Sequence, residues 1–121
     1  MKRTVTAEGI TIEIGIQHLG EDFVVTVGGG ERPHIGSTVL SIPRPSLMDP
    51  NKLSCTSSVL NCVGHKDEEL CRAAAETVCR HFGKTTVCVG GVHLDEATPE
   101  QIRLIGELVF GLLAEMIEDI E

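Results

Sequence analysis

Hydrophobic residues recur at every second position early in this 121-residue chain and at helical spacing beyond residue 64. That switch of period limits the fold more than any other feature. Ile10, Ile12, Ile14 and Ile16 alternate strictly with Thr11, Glu13 and Gly15, which predicts a strand with one buried face. Thr4 to Glu8 reads as a short strand turned at Gly9. Phe23 to Val27 is a β-branched strand at hairpin distance, ended by Gly28, Gly29 and Gly30. A further strand is expected from Ser37 to Ile42, stopped by Pro43. The prolines from Pro43 to Pro50 predict an extended loop, because each locks φ and restricts the residue before it. Leu53 to Val63, rich in Ser, Thr, Val and Cys, reads as another strand.

The period changes at Gly64-His65-Lys66-Asp67. Leu70, Ala74, Val78 and Phe82 then recur at helical spacing, with Gly83 as a C-terminal stop. Thr85 to Val89 is nearly continuous and apolar, the pattern of a central strand, and Gly90 to Asp95 reads as a loop. The last helix has the clearest start: Thr98 as N-cap, Pro99 at the first helical position and Gln101 completing a capping box. Its apolar residues, from Ile102 to Ile120, cover roughly 200° of its surface at about 100° per residue. One packing face needs a stripe only a little over ~100° wide. The excess predicts a second buried side, most simply a subunit interface in a homo-oligomer. The expected fold is a single α+β domain over residues 1–121: a mostly antiparallel sheet of about five or six strands with two helices packed on it.

The totals narrow the partners. A net charge of -8 argues against nucleic acid or an anionic membrane surface, which require clustered Lys and Arg. With no Trp, no Tyr and only Phe23, Phe82 and Phe110, the core must be made of Val, Ile and Leu. Five cysteines, an odd number without a CxxC and mostly within apolar patterns, suit reduced thiols in the cytoplasm better than a secreted disulfide framework. The start, Met1-Lys2-Arg3-Thr4, carries no apolar stretch of the kind a signal peptide needs. No segment is apolar for the length of a membrane span.

Three segments combine glycine with histidine at strand ends: Gly28 to Gly36, Gly64 to Asp67, and Gly90 to Asp95. Glycine lets backbone N–H groups come close to a ligand. Histidine can donate, accept, ligate a metal or move a proton near neutral pH. Two of these segments lead into helices, whose N-termini favour anions. Each has a plainer reading too. Three glycines commonly form a hairpin turn, Arg32 a solvated charge, and His65-Lys66-Asp67 a polar helix cap. His18 and His81 fall on ordinary strand and helix positions. No GxGxxG, Walker motif or GxSxG is present, and no cysteine lies in a Gly-His segment. His34, His65 and His93 would suit a catalytic three-His zinc site only if they converge, and their spacing does not show that. Recurrence selects the candidate binding residues: Gly29, Gly30, Arg32, His34, Gly36 and Ser37, then Gly64, His65, Lys66 and Asp67, then Gly91, His93 and Asp95.

At these residues the sequence resembles a known family. GGGERPHIGSTVLSIPRPSL from Gly28, GHKDEEL from Gly64 and VGGVHLDEATPEQI from Val89 are similar, in that order, to the small prenylated-flavin chaperones. These proteins are encoded beside UbiD-type decarboxylases, including gallate decarboxylase systems. The resemblance covers about Gly28 to Ile105. It implies a non-catalytic helper that binds reduced prenylated FMN (or FMN) and assists its delivery to an apo-decarboxylase. In a chain almost without aromatics, Ile35, Leu47 and Met48 would supply apolar contacts to the flavin. The alternative reading is a small His-based enzyme, a metal-dependent lyase using the three Gly-His segments.

Overall fold

A computed structural model describes residues 1–62 and 66–121. Strands β1 (Lys2–Ala7), β2 (Ile10–Leu19), β3 (Asp22–Gly30), β4 (Ser37–Pro45) and β5 (Leu53–Asn61) precede helix α1 (Lys66–Phe82), strand β6 (Thr86–His93) and helix α2 (Pro99–Ile120). The sheet order is β1-β2-β3-β6-β4-β5. Among the described strands only the β3–β6 pair is parallel. This is the expected α+β architecture, with the last strand inserted at the centre.

Alternation sets the faces. Ile10, Ile12, Ile14 and Ile16 are buried, as are Phe23, Val25 and Val27 on the adjacent strand. Helix α2 packs against β1 and β2, while α1 lies over β3, β4, β5 and β6. Val109, Leu112, Leu113 and Met116 of α2 join the strand isoleucines in one core with Ala74 and Val78 of α1. Each fully buried Val, Leu, Ile or Met among them contributes about 1.5–3 kcal/mol. The opposite face carries Thr26, Leu40, Ile42, Ser58 and Leu60, all exposed.

Both helix ends follow their sequence signals. Thr98 Oγ1 accepts from the Gln101 N–H at 3.1 Å, and Gln101 Oε1 accepts from the Thr98 N–H at 2.9 Å. Gly83, at φ 67°, donates its N–H to the Cys79 carbonyl and closes α1. Three local expectations were overridden. Strand β4 does not stop at Pro43 but runs to Pro45. Its pairing with β6 ends at Ser41, so beyond that point only β5 needs its backbone groups and proline is tolerated. The triple glycine does not end β3, and Gly90 to His93 belong to β6 rather than to a loop. Gly28, Gly29 and Gly30 pair in register with Gly91, Val92 and His93. Glycines chosen locally for a turn here let two backbones run close together.

Candidate functional site

Strand β6 positions the site by its alternation. Val92 points into the core, so His93 occupies the other face and Leu94 returns toward the helices. The chain after β3 reverses through Pro33 and brings His34 over Gly91. A Cβ on Gly91 would lie 2.8 Å from two atoms of the His34 ring. The two imidazoles meet nearly edge-on, with centroids 6.3 Å apart and planes at 80°.

Asp67, in the first turn of α1, is only 3% exposed. Its Oδ1 accepts from the Val92 N–H at 3.1 Å, and its Oδ2 lies 3.2 Å from His34 Nε2. His34 Nδ1 faces the Arg32 carbonyl at 3.1 Å. Both ring nitrogens of His34 therefore face acceptors: the neutral ring satisfies one of them, the imidazolium both. Gly36 makes room for this carboxylate, since any Cβ there would collide with Asp67 Oδ2. Its N–H donates to the Gly90 carbonyl at 2.9 Å.

The second imidazole has its own carboxylate. His93 Nε2 is 2.8 Å from Asp95 Oδ1, and the Asp95 N–H donates to Glu31 Oε2 at 3.3 Å. The hydrogen bond from His93 holds the Asp95 carboxyl below its ordinary value, helped by the one it shares with Glu31. The Glu31 N–H in turn donates to the His93 carbonyl at 2.7 Å. Two imidazole–carboxylate pairs thus share one end of the β3–β6 ladder. With both His34 nitrogens and His93 Nε2 engaged inside these pairs, the second His93 nitrogen and the exposed Asp95, Glu31 and Arg32 face outward beside them.

The structure brings together Gly30, Arg32, His34, Gly36, Asp67, Gly91, His93 and Asp95. Gly29 is close by in β3, where a Cβ would collide with the Thr11 carbonyl of β2. Ser37 turns away. It is fully buried, and its hydroxyl donates to Asn61 Oδ1 at 2.8 Å. Gly64, His65 and the Lys66 side chain lie outside the described residues. Ile35, Leu47 and Met48 are exposed, the last two almost fully. Among the described residues, no group of three His, Cys, Asp or Glu is placed to hold a metal ion. No helix among them is long and apolar enough to cross a membrane. All five cysteines are free, and Cys71, Cys79 and Cys88 are buried.

Sequence reasoning missed Glu31 and an apolar cavity of about 330 Å³ between α1 and α2, which has Asp67 in its wall. Ile102 and Phe110 stand at that cavity and remain half exposed, so the broad apolar stripe of α2 was its visible signal. A larger groove of about 550 Å³ lies between Glu8 and the start of α2. Glu100, Arg103 and Glu107 line it in polar surroundings, with neither imidazole near, and it is a solvated furrow.

Residues 6–121 match the model of the prenylated flavin chaperone LpdD-like domain. Protein LpdD of Lactiplantibacillus plantarum is 23% identical over 114 residues, which are 94% of this chain and 80% of that protein. Among solved structures, one chain from a chaperone complex for yeast 20S proteasome assembly superposes with a TM-score of 0.64. It is 11% identical, and the match covers 98% of this chain and 94% of that one, a likeness of fold.

Proposed function

Because this chain belongs to the prenylated flavin chaperone LpdD-like family, we propose that it binds prenylated FMN (or FMN) and assists its delivery to a UbiD-type decarboxylase. It acts as a cofactor carrier in the cytoplasm and not as a catalyst. One observation carries this reading beyond family membership: the buried Asp67 holds His34 beside His93 at the end of β6. A flavin ring system presents one N–H donor and several acceptors along its pyrimidine edge. The second nitrogen of His93, the exposed carboxylates of Asp95 and Glu31 and the Arg32 guanidinium match that edge without an aromatic stacking partner.

The phosphate belongs outside the acidic pairs, with Arg32 and the Lys66 segment supplying cations at the start of α1. Arg32→Ala or Lys66→Ala should each weaken FMN binding by roughly 1–3 kcal/mol, and riboflavin should bind more weakly than FMN. Equal affinity for riboflavin and FMN would show that the phosphate is not read. The direct test is expression with and without a flavin prenyltransferase, followed by absorbance of the purified protein. A bound flavin chromophore is expected. A colourless protein carrying stoichiometric zinc would favour a small metal-dependent lyase using His34, His65 and His93.

The chain also self-associates in this reading. Its apolar residues left in water, Ile102 and Phe110 on α2 and Leu40, Ile42 and Leu60 on the sheet, are what a second copy would cover. Sedimentation at micromolar concentration should give more than a monomer, and Phe110→Glu should reduce the assembly if α2 is the contact.

A further inference from the structure

We propose that the cavity between α1 and α2 is the subsite for the isoprene-derived ring that distinguishes prenylated FMN from FMN; this rests on the flavin-binding reading above. The cavity exists because its lining is small. Ala73 of α1, Ala97 before α2 and Gly106 within α2 leave the space open. A Cβ added to Gly106 would meet nothing within 4 Å. Glycine inside a helix weakens it relative to alanine. No close packing demands glycine at this position, so the helix is weakened here while the void beside it stays open.

The lining selects one end of an amphiphilic ligand. Leu70, Leu94 and Ile105 make its wall apolar, and the exposed Ile102 and Phe110 border its mouth. Among the described side chains, the charged lining residues are both acidic, Asp67 and Glu69, and no Lys or Arg lines the cavity. A phosphate is repelled from such a cavity and a neutral hydrocarbon ring is not. At about 330 Å³ it is at the small end of ligand sites, matching part of a nucleotide cofactor. Asp67 is the shared wall: it faces the cavity while its Oδ2 holds His34. The added ring is fused beside the pyrimidine edge of the flavin, so a flavin held at the imidazoles would bring it toward Asp67, the residue the two places share.

One extra methylene in an apolar pocket typically discriminates by about 10- to 200-fold. Anaerobic titration should therefore show reduced prenylated FMN binding at least about tenfold more tightly than reduced FMN. Gly106→Leu, which fills the cavity, should remove most of that preference and leave FMN affinity nearly unchanged. Gly106→Ala, which adds one methyl group, should retain most of it. If wild-type protein binds both flavins equally, or if Gly106→Leu keeps the full preference, the subsite assignment is overturned while flavin binding stands. If wild-type protein binds neither flavin, the functional reading falls and the subsite with it. A readout on the wild type covers the case in which Gly106→Leu does not fold. Methyl resonances of Leu70, Leu94, Ile102 and Ile105 should shift on addition of prenylated FMN and much less on addition of FMN. Unmoved resonances would overturn the assignment.

Discussion

Two sets of glycines in this chain look alike in sequence and have opposite surroundings. Gly29, Gly30, Gly36, Gly90 and Gly91 are crowded: a Cβ on any of them would run into backbone or a fixed side chain. Gly106 and Gly111, on α2, face open space. The crowded set lets β3 and β6 lie close and admits His34 and Asp67 between the strand ends. Gly106 leaves a cavity. Glycine therefore marks this site in two ways, by permitting contact and by withholding it.

The sharpest way to break the comparison is Gly90→Ala. Its Cβ would fall on the Val27 carbonyl within the parallel pair, so the central strands must separate. We expect a loss of roughly 3 kcal/mol or more in urea unfolding, beyond ordinary overpacking. An unchanged midpoint would mean that the crowding does not constrain the ladder.

Gly36→Ala is the next largest. It pushes on the Asp67 carboxylate, which answers the buried Val92 N–H. Leaving that donor unpaired costs about 1–3 kcal/mol, and flavin binding should weaken together with stability. A stability loss with undiminished binding would separate Asp67 from the site.

Gly106→Ala should act in the opposite direction. With no neighbour in reach, the methyl group should raise stability by about 0.5–1 kcal/mol through helix propensity alone, seen as a higher Tm. A fall in Tm would place Gly106 in the crowded set.

The smallest effect belongs to Asp95, which is exposed. Its carboxyl titrates below the ordinary 3.8, so its contribution is fully present above that pH and is lost as pH falls through its lowered value. Asp95→Asn should lower stability at pH 7 by the same slight amount that the wild type loses on acidification and should remove that acid sensitivity, as acid titration of both proteins would show.

The glycines also explain how much of the site was legible beforehand. His34, Asp67, His93 and Asp95 were all selected by their place at strand ends, and the structure gathers them. A glycine run by itself suggests loop freedom, yet Gly30 and Gly91 are paired strand residues. Ser37 was selected by adjacency alone, and alternation turned it inward to Asn61. Glu31 carries no sequence signal that distinguishes it from other surface acids. The cavity was half visible: the broad apolar stripe of α2 showed that Ile102 and Phe110 lay beyond one packing face, but not what they faced.

What the sequence determined by itself is what neighbouring residues along the chain decide among themselves. Alternation at Ile10 to Ile16 assigned a buried face, Thr98, Pro99 and Gln101 started α2, and Gly83 ended α1, because each depends on local backbone hydrogen bonds and side-chain direction. Only the tertiary structure decided that β6 enters between β3 and β4, since that choice rests on contacts between residues about sixty positions apart. The same insertion carried Gly28 to Gly30 past the turn that a glycine run prefers. It also set Val92 where its N–H needs Asp67, and His34 where Gly91 leaves room for a ring. Local propensities differ by only about 1 kcal/mol per residue, and the burial and hydrogen bonding of a central strand outweigh them.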